Sequence, residues 1–282
     1  MDRWEVGGLR VSRLVELETT SIGSFVLPDA VAENVRARDW LRPHFADADG
    51  NMIMSIHALL IEAGDRRIIV DTCLGNDKQR PIPDWNMRKG PFLEDLAAAG
   101  FPPESIDTVV CTHLHVDHVG WNTMLVDGRW VPTFPNARYL IGRSEWDYWN
   151  KEEDGQFGEI MGDSVRPVIE AGLADLVEPG LEITPGVRLI STPGHTPGHM
   201  SVFISSRGSE AVITGDLIHH PVQCSDPEWA SAFDFDPEQA RKTRREFLER
   251  YADTEVRVIG THFASPTIGK IVRHGESWRF LP

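Results

Sequence analysis

Between Thr112 and Gly120 the chain reads Thr-His-Leu-His-Val-Asp-His-Val-Gly, which gathers His113, His115, Asp117 and His118 into one short loop. Neutral imidazole is the commonest side-chain ligand for borderline metal ions, and carboxylate oxygen complements it. In extended backbone His113 and His115 project to the same side, while Asp117 and His118 can turn toward a neighbouring point. One loop can thus supply ligands to two ions. A metal site needs at least three protein ligands, so others must come from elsewhere. Three candidates each follow a short apolar run: His195 in Thr192-Pro193-Gly194-His195, Asp216 in Thr214-Gly215-Asp216, and His262 in Gly260-Thr261-His262.

The elements that position these residues read as alternating strands and helices. Leu9 to Glu18 is strand-like, and Met54 to Glu62 with Arg67 to Asp71 forms a hairpin around Ala63-Gly64-Asp65. Pro91 to Ala99 is helical and ends at Gly100, with Pro102 beyond it. Asp107 to Cys111 is a β-branched strand that delivers the histidine loop. Ala137 to Ile141, Val187 to Ser191, Met200 to Ser205, Ala211 to Thr214 and Val256 to Ile259 are further strands, with 144–175 mostly helical between the first two. Pro237 to Tyr251 is the clearest helix, with Phe247, Leu248 and Tyr251 available to bury. No linker or short repeat divides the chain, so one domain over 1–282 is expected. Segment 19–53, with Phe25, Trp40 and Phe45 among charges, has no clean period and reads as a lid or a dimer arm.

Composition narrows the function classes. The 282 residues carry a formal net charge of −15, which argues against a nucleic-acid surface, since phosphate contacts need clustered Lys and Arg. No run approaches the length of a membrane span. Met1 to Leu14 is charged throughout and has no apolar core, so no signal peptide is expected. Cys73, Cys111 and Cys224 are odd in number and far apart, which suits reduced thiols in a cytoplasmic protein.

The ordered series His113-x-His115-x-Asp117-His118, His195, Asp216, His262 resembles the metallo-β-lactamase superfamily from about residue 54 to the end of the chain. That resemblance implies an αββα sandwich, two facing mixed sheets with helices outside. It also implies two divalent ions, zinc first, although the donors suit Mn, Co and Fe as well. One ion would be held by His113, His115 and His195, the other by Asp117, His118 and His262, with Asp216 bridging. Asp71, closing the Ile-Ile-Val-Asp strand, matches the family aspartate that orients a ligand histidine.

Within the family, His115 stands where flavodiiron oxygen reductases carry Glu, and true β-lactamases lack the bridging aspartate at the position of Asp216. The stretch Gly215 to Gln223 with Phe233-Asp234 is most similar to the methyl parathion hydrolase and lactonase-like branch. The expected activity is hydrolysis of a hydrophobic lactone or aryl ester, with organophosphate triesters as a side activity and Asp117 steering a proton. Related quorum-quenching lactonases carry a tyrosine where this chain has His219, so His219 is a candidate donor to the substrate, or else packs behind the ligands. The alternatives are a thioester hydrolase resembling glyoxalase II and a metal-binding module without catalysis. His199, in the same Thr-Pro-Gly rhythm as His195, is expected to be structural. Trp121, Trp146, Trp149 and Trp229 are core residues or walls of an apolar pocket.

Overall fold

A computed structural model describes residues 1–151 and 157–282. The chain divides into two compact units, each assembled from separated segments: Met1–Glu16 with Ile56–Pro179, and Leu17–Ser55 with Gly180–Pro282.

The first unit is built on a seven-stranded mixed sheet. Its strands are β1 (Asp2–Val6), β2 (Leu9–Thr19), β3 (Met54–Ala63), β4 (Arg66–Val70), β5 (Thr108–Cys111), β8 (Arg138–Gly142) and β9 (Ala174–Val177), adjacent in that order. β6 (Thr123–Val126) and β7 (Arg129–Pro132) form a separate hairpin. β3 and β4 pair antiparallel through the turn at Gly64, as the Ala63-Gly64-Asp65 signal indicates, whereas β4, β5, β8 and β9 run parallel. Parallel central strands are covered on both faces and read as continuous apolar runs. Thr108-Val109-Val110-Cys111 is such a run and is buried throughout. The helix Phe92–Ala98 covers part of this unit, burying Phe92 and Leu96.

The second unit carries the other seven-stranded mixed sheet. It contains β10 (Glu182–Thr184), β11 (Val187–Ser191), β12 (Met200–Ser206), β13 (Ser209–Ile213), β14 (Arg257–Ile259), β15 (Ile268–His274) and β16 (Ser277–Leu281), also in that order. Only β13 and β14 pair in parallel. The helix Pro237–Tyr251 buries Phe247, Leu248 and Tyr251 as its pattern indicates, and Asp236 caps its first turn by accepting from Gln239 N at 3.0 Å. Segment 19–53 holds two short helices, Gly23–Val26 and Ala32–Arg36. Phe45 anchors it within this unit, with ring centroids 5.7 Å from Phe280 and 6.4 Å from Phe263.

Two mixed seven-stranded sheets with helices are the elements that the resemblance implies. The stretch 144–175 is less helical than its composition indicates: the helices Arg143–Trp149 and Arg166–Glu170 flank a π turn at Met161–Val165, and β9 begins at Ala174. Its residues 152–156 lie outside the described residues. Strands β15 and β16 escaped the sequence reading because Lys270, Arg273, His274 and Arg279 interrupt their apolar residues. No described helix is long and apolar enough to cross a membrane.

Candidate metal centre

In the first unit the histidine loop leaves the end of β5 and is tied to the loop after β4 by backbone bonds. Thr72 N donates to His118 O at 2.7 Å, Trp121 N to Thr72 O at 2.8 Å and Gly120 N to Cys73 O at 2.7 Å. Gly120 is obligatory, because a Cβ there would stand 1.9 Å from Leu74 O. Asp71 adopts φ 57°, a left-handed conformation that costs a non-glycine residue on the order of 1 kcal/mol. Its carboxylate accepts from Thr112 N at 2.8 Å, Thr112 Oγ1 at 2.8 Å and His118 Nδ1 at 2.9 Å. Thr112 Oγ1 in turn lies 3.0 Å from His113 Nδ1 and accepts from it. One aspartate therefore directs two imidazoles, His118 directly and His113 through the threonine hydroxyl. The imidazoles of His113 and His118 lie 4.0 Å apart, those of His113 and His115 4.6 Å. Asp117 Oδ1 stands 3.7 Å from His118 Nε2.

In the second unit His195, Asp216, His219 and His262 come together from three strand ends. Asp216 Oδ2 lies 3.4 Å from His195 Nε2 and 3.3 Å from His219 Nε2, and its Oδ1 lies 3.2 Å from His262 Nε2. His195 Nδ1 donates to Asp234 Oδ1 at 2.9 Å, and His262 Nδ1 donates to Ser55 O at 2.9 Å. Both donations put the ring proton on Nδ1 and the lone pair on Nε2, facing Asp216. A lone pair and a carboxylate oxygen at that separation repel unless a cation lies between them. The donor set thus suits divalent ions.

His199 is excluded as a ligand by its own bonds. Nδ1 meets Thr192 O at 3.0 Å and Thr192 Oγ1 at 2.8 Å, while Nε2 accepts from Asp216 N at 2.8 Å. Both nitrogens are consumed, and the residue holds the Asp216 backbone in place, the structural role expected of it. His219 is fully buried beside Asp216. Burial pushes its imidazolium down from the usual range, and Asp216 opposes that shift.

Several residues that support the site carried no sequence signal. Glu16 accepts from Leu74 N at 2.7 Å and Trp121 Nε1 at 2.8 Å, and burial raises its carboxyl. Trp121 also stacks on Phe92, so it is core rather than a pocket wall. Glu145 accepts from Leu114 N at 3.3 Å, between two ligand candidates, and from Trp149 Nε1 at 2.9 Å, whose ring meets His115 edge-on. Asp234 belongs to a tail motif already singled out, but its contact with His195 spans 39 positions and could not be read locally.

The sequence signature of the metallo-beta-lactamase superfamily matches residues 53–262. An N-acyl homoserine lactonase of Bacillus cereus is 27% identical over 180 residues, covering 58% of this chain and 64% of that protein. The N-acyl homoserine lactonase AttM of Rhizobium radiobacter is 30% identical over 125 residues, 43% of this chain and 44% of its own length. The chain thus spans less than two thirds of the curated relatives it matches. Among solved structures, AidC, a dizinc quorum-quenching lactonase in complex with a product, superposes with a TM-score of 0.80 at 23% identity, covering 100% of this chain and 96% of that one. The hydrolase AbOPH of the beta lactamase superfamily gives 0.79 at 26% identity over 99% of this chain and 96% of that one. These relatives do not single out the methyl parathion hydrolase branch.

Proposed function

The chain belongs to the metallo-beta-lactamase superfamily, and from that premise we propose that it is a dinuclear-metal lactonase acting on N-acyl homoserine lactones or similar hydrophobic lactones. The observation that carries this reading is the posture of Asp216. One carboxylate oxygen faces His195 and the other faces His262, the two histidines that the family pattern allots to different ions. That posture suits a carboxylate that would be shared between two ions. Curated relatives are N-acyl homoserine lactonases, which favours a cyclic ester over an organophosphate triester.

Held by His113, His115, Asp117, His118, His195, Asp216 and His262, two divalent ions would supply a water acidified toward neutral pH and a Lewis acid for the ester carbonyl. The residues of this chain do the remainder. Asp71 and Thr112 orient His118 and His113, Asp234 orients His195, and Ser55 O orients His262. Asp117, partly buried beside His118, takes a proton from the attacking water and passes it to the leaving alkoxide as the ring opens. His219 donates to the substrate's carbonyl or leaving oxygen. An apolar acyl group is accommodated by Phe25 and Phe233, whose rings lie 5.1 Å apart, with Phe25 41% and Phe235 55% exposed. Phe235 N also donates to His195 O at 2.9 Å, which ties this aromatic group to a ligand segment.

The deciding experiment is a substrate panel on zinc-loaded protein: N-hexanoyl- and N-decanoyl-homoserine lactone, an aryl acetate, a glutathione thioester and a phosphotriester. Ring opening with the highest kcat/KM, rising with acyl length, is expected. A higher kcat/KM for the thioester or the phosphotriester overturns the lactone assignment, and no turnover of any substrate overturns the catalytic one.

A further inference from the structure

Arg244, on the helix Pro237–Tyr251, is completely buried. A buried guanidinium is costly unless hydrogen bonds and an opposite charge offset its desolvation. Nε donates to Leu217 O at 3.0 Å, and Nη1 donates to Pro227 O at 2.7 Å and Trp229 O at 3.2 Å. Nη2 stands 3.9 Å from Asp234 Oδ2. Leu217 directly follows Asp216, and Asp234 is the partner of His195. One side chain therefore reaches both the segment that bears the central carboxylate and the group that aims a histidine at it.

The same helix closes on the His195 loop from its other side. Thr243 Oγ1 donates to Pro193 O at 2.7 Å, and Asp236 N donates to Gly194 O at 2.9 Å. Gly194 adopts φ +132°, and a Cβ there would lie 2.4 Å from Ala240 N. Phe235 N donates to His195 O at 2.9 Å, so two successive backbone bonds tie this loop to the residues that open the helix.

We propose that Asp234 and Arg244 are a positioning pair: Asp234 keeps the proton of His195 on Nδ1 and so presents Nε2 to the metal, and Arg244 holds Asp234 in register with Asp216. The inference rests on the reading of His195 and Asp216 as ligands. Arginine suits the role because its planar fork hydrogen-bonds three carbonyls at fixed angles while its remaining arm faces the Asp234 carboxylate at 3.9 Å as a charge contact, which an ammonium on a flexible stem does not reproduce. Burial draws the guanidinium down to about 10, which leaves it charged at neutral pH.

The isosteric variant Asp234→Asn tests the first half sharply. Ser231 N donates to Oδ2 at 2.9 Å, on the side that also faces Arg244. The Asn oxygen will stay on that side, and its NH2 will turn to His195 Nδ1 and drive the ring proton to Nε2. Nitrogen-15 NMR of metal-stripped full-length protein should show the Nδ1–H tautomer for His195 in the wild type and the Nε2–H tautomer in Asp234→Asn. Zinc competition with a chelating indicator should show one of two equivalents weakened by about 10- to 100-fold and the other retained. Arg244→Lys should weaken the same equivalent by a smaller factor with unchanged circular dichroism, and Arg244→Met by a larger one. A wild-type His195 protonated on Nε2, or Asp234→Asn with both the wild-type tautomer and both wild-type affinities, overturns the proposal. Wild-type affinity in Arg244→Lys and Arg244→Met overturns Arg244's share. Wild-type protein that takes up no zinc sinks the metal reading instead, while the tautomer comparison still judges the pair.

Discussion

His118 Nδ1 donates to Asp71 Oδ2 at 2.9 Å across 47 positions of chain, and both side chains are 1% exposed. The same oxygen accepts from Thr112 Oγ1, which receives His113. Asp71→Asn should therefore misdirect two imidazoles at once. A fall in zinc affinity of about 10- to 100-fold is expected, larger than for a variant that disturbs one ligand. Equilibrium dialysis against a zinc buffer series measures it, and unchanged affinity would remove Asp71 from the site.

Asp216 faces three imidazoles with two oxygens. Zinc content after exhaustive dialysis should be close to two per chain, and Asp216→Ala should lower occupancy of both positions, because a bridging carboxylate neutralises both ions. Active wild-type protein retaining a single ion, or an alanine variant retaining two, contradicts the bridging role.

His219 has two testable roles. As substrate donor, its replacement by Phe lowers kcat at unchanged zinc content. As the neighbour of Asp216 Oδ2 at 3.3 Å, its replacement lowers zinc content first. Metal analysis beside steady-state kinetics of His219→Phe separates the two, and a variant unaltered in both respects excludes both.

Away from the site, Lys78 is buried over the Trp130 ring at 3.7 Å, and it donates to Thr123 Oγ1 at 2.9 Å and Asp163 O at 3.1 Å. Burial pulls its ammonium down to about 8 against the opposing charge of Asp163. The folded pKa lies below the unfolded value of about 10.4, so between these limits the unfolded chain binds the proton and the folded chain does not. Stability rises with pH across that window and is insensitive to this group below it. Denaturant unfolding at pH 7 and pH 10 should show wild type gaining about 2–3 kcal/mol relative to Lys78→Met. An equal difference at both pH values refutes the assignment.

The ligand candidates were legible because each is written locally. A β-branched run such as Thr108 to Cys111 favours a strand by local sequence, and the chemistry stands directly after it. The hairpin around Gly64 and the helix Pro237–Tyr251 were equally visible, since a turn glycine and an amphipathic face are written over a few residues. What tertiary structure alone decided is which nitrogen each histidine offers. Those partners come from far along the chain: Asp71 for His118, Asp234 for His195, and Ser55, 207 positions away, for His262. The same applies to His195 and His199, which share one motif. They part company only because Asp216 N and Thr192 use both nitrogens of His199. Arg244 reads in sequence as one more charge on an amphipathic helix. Its burial follows from the carbonyls of Leu217, Pro227 and Trp229 converging on it, and no local pattern encodes where three loops will meet.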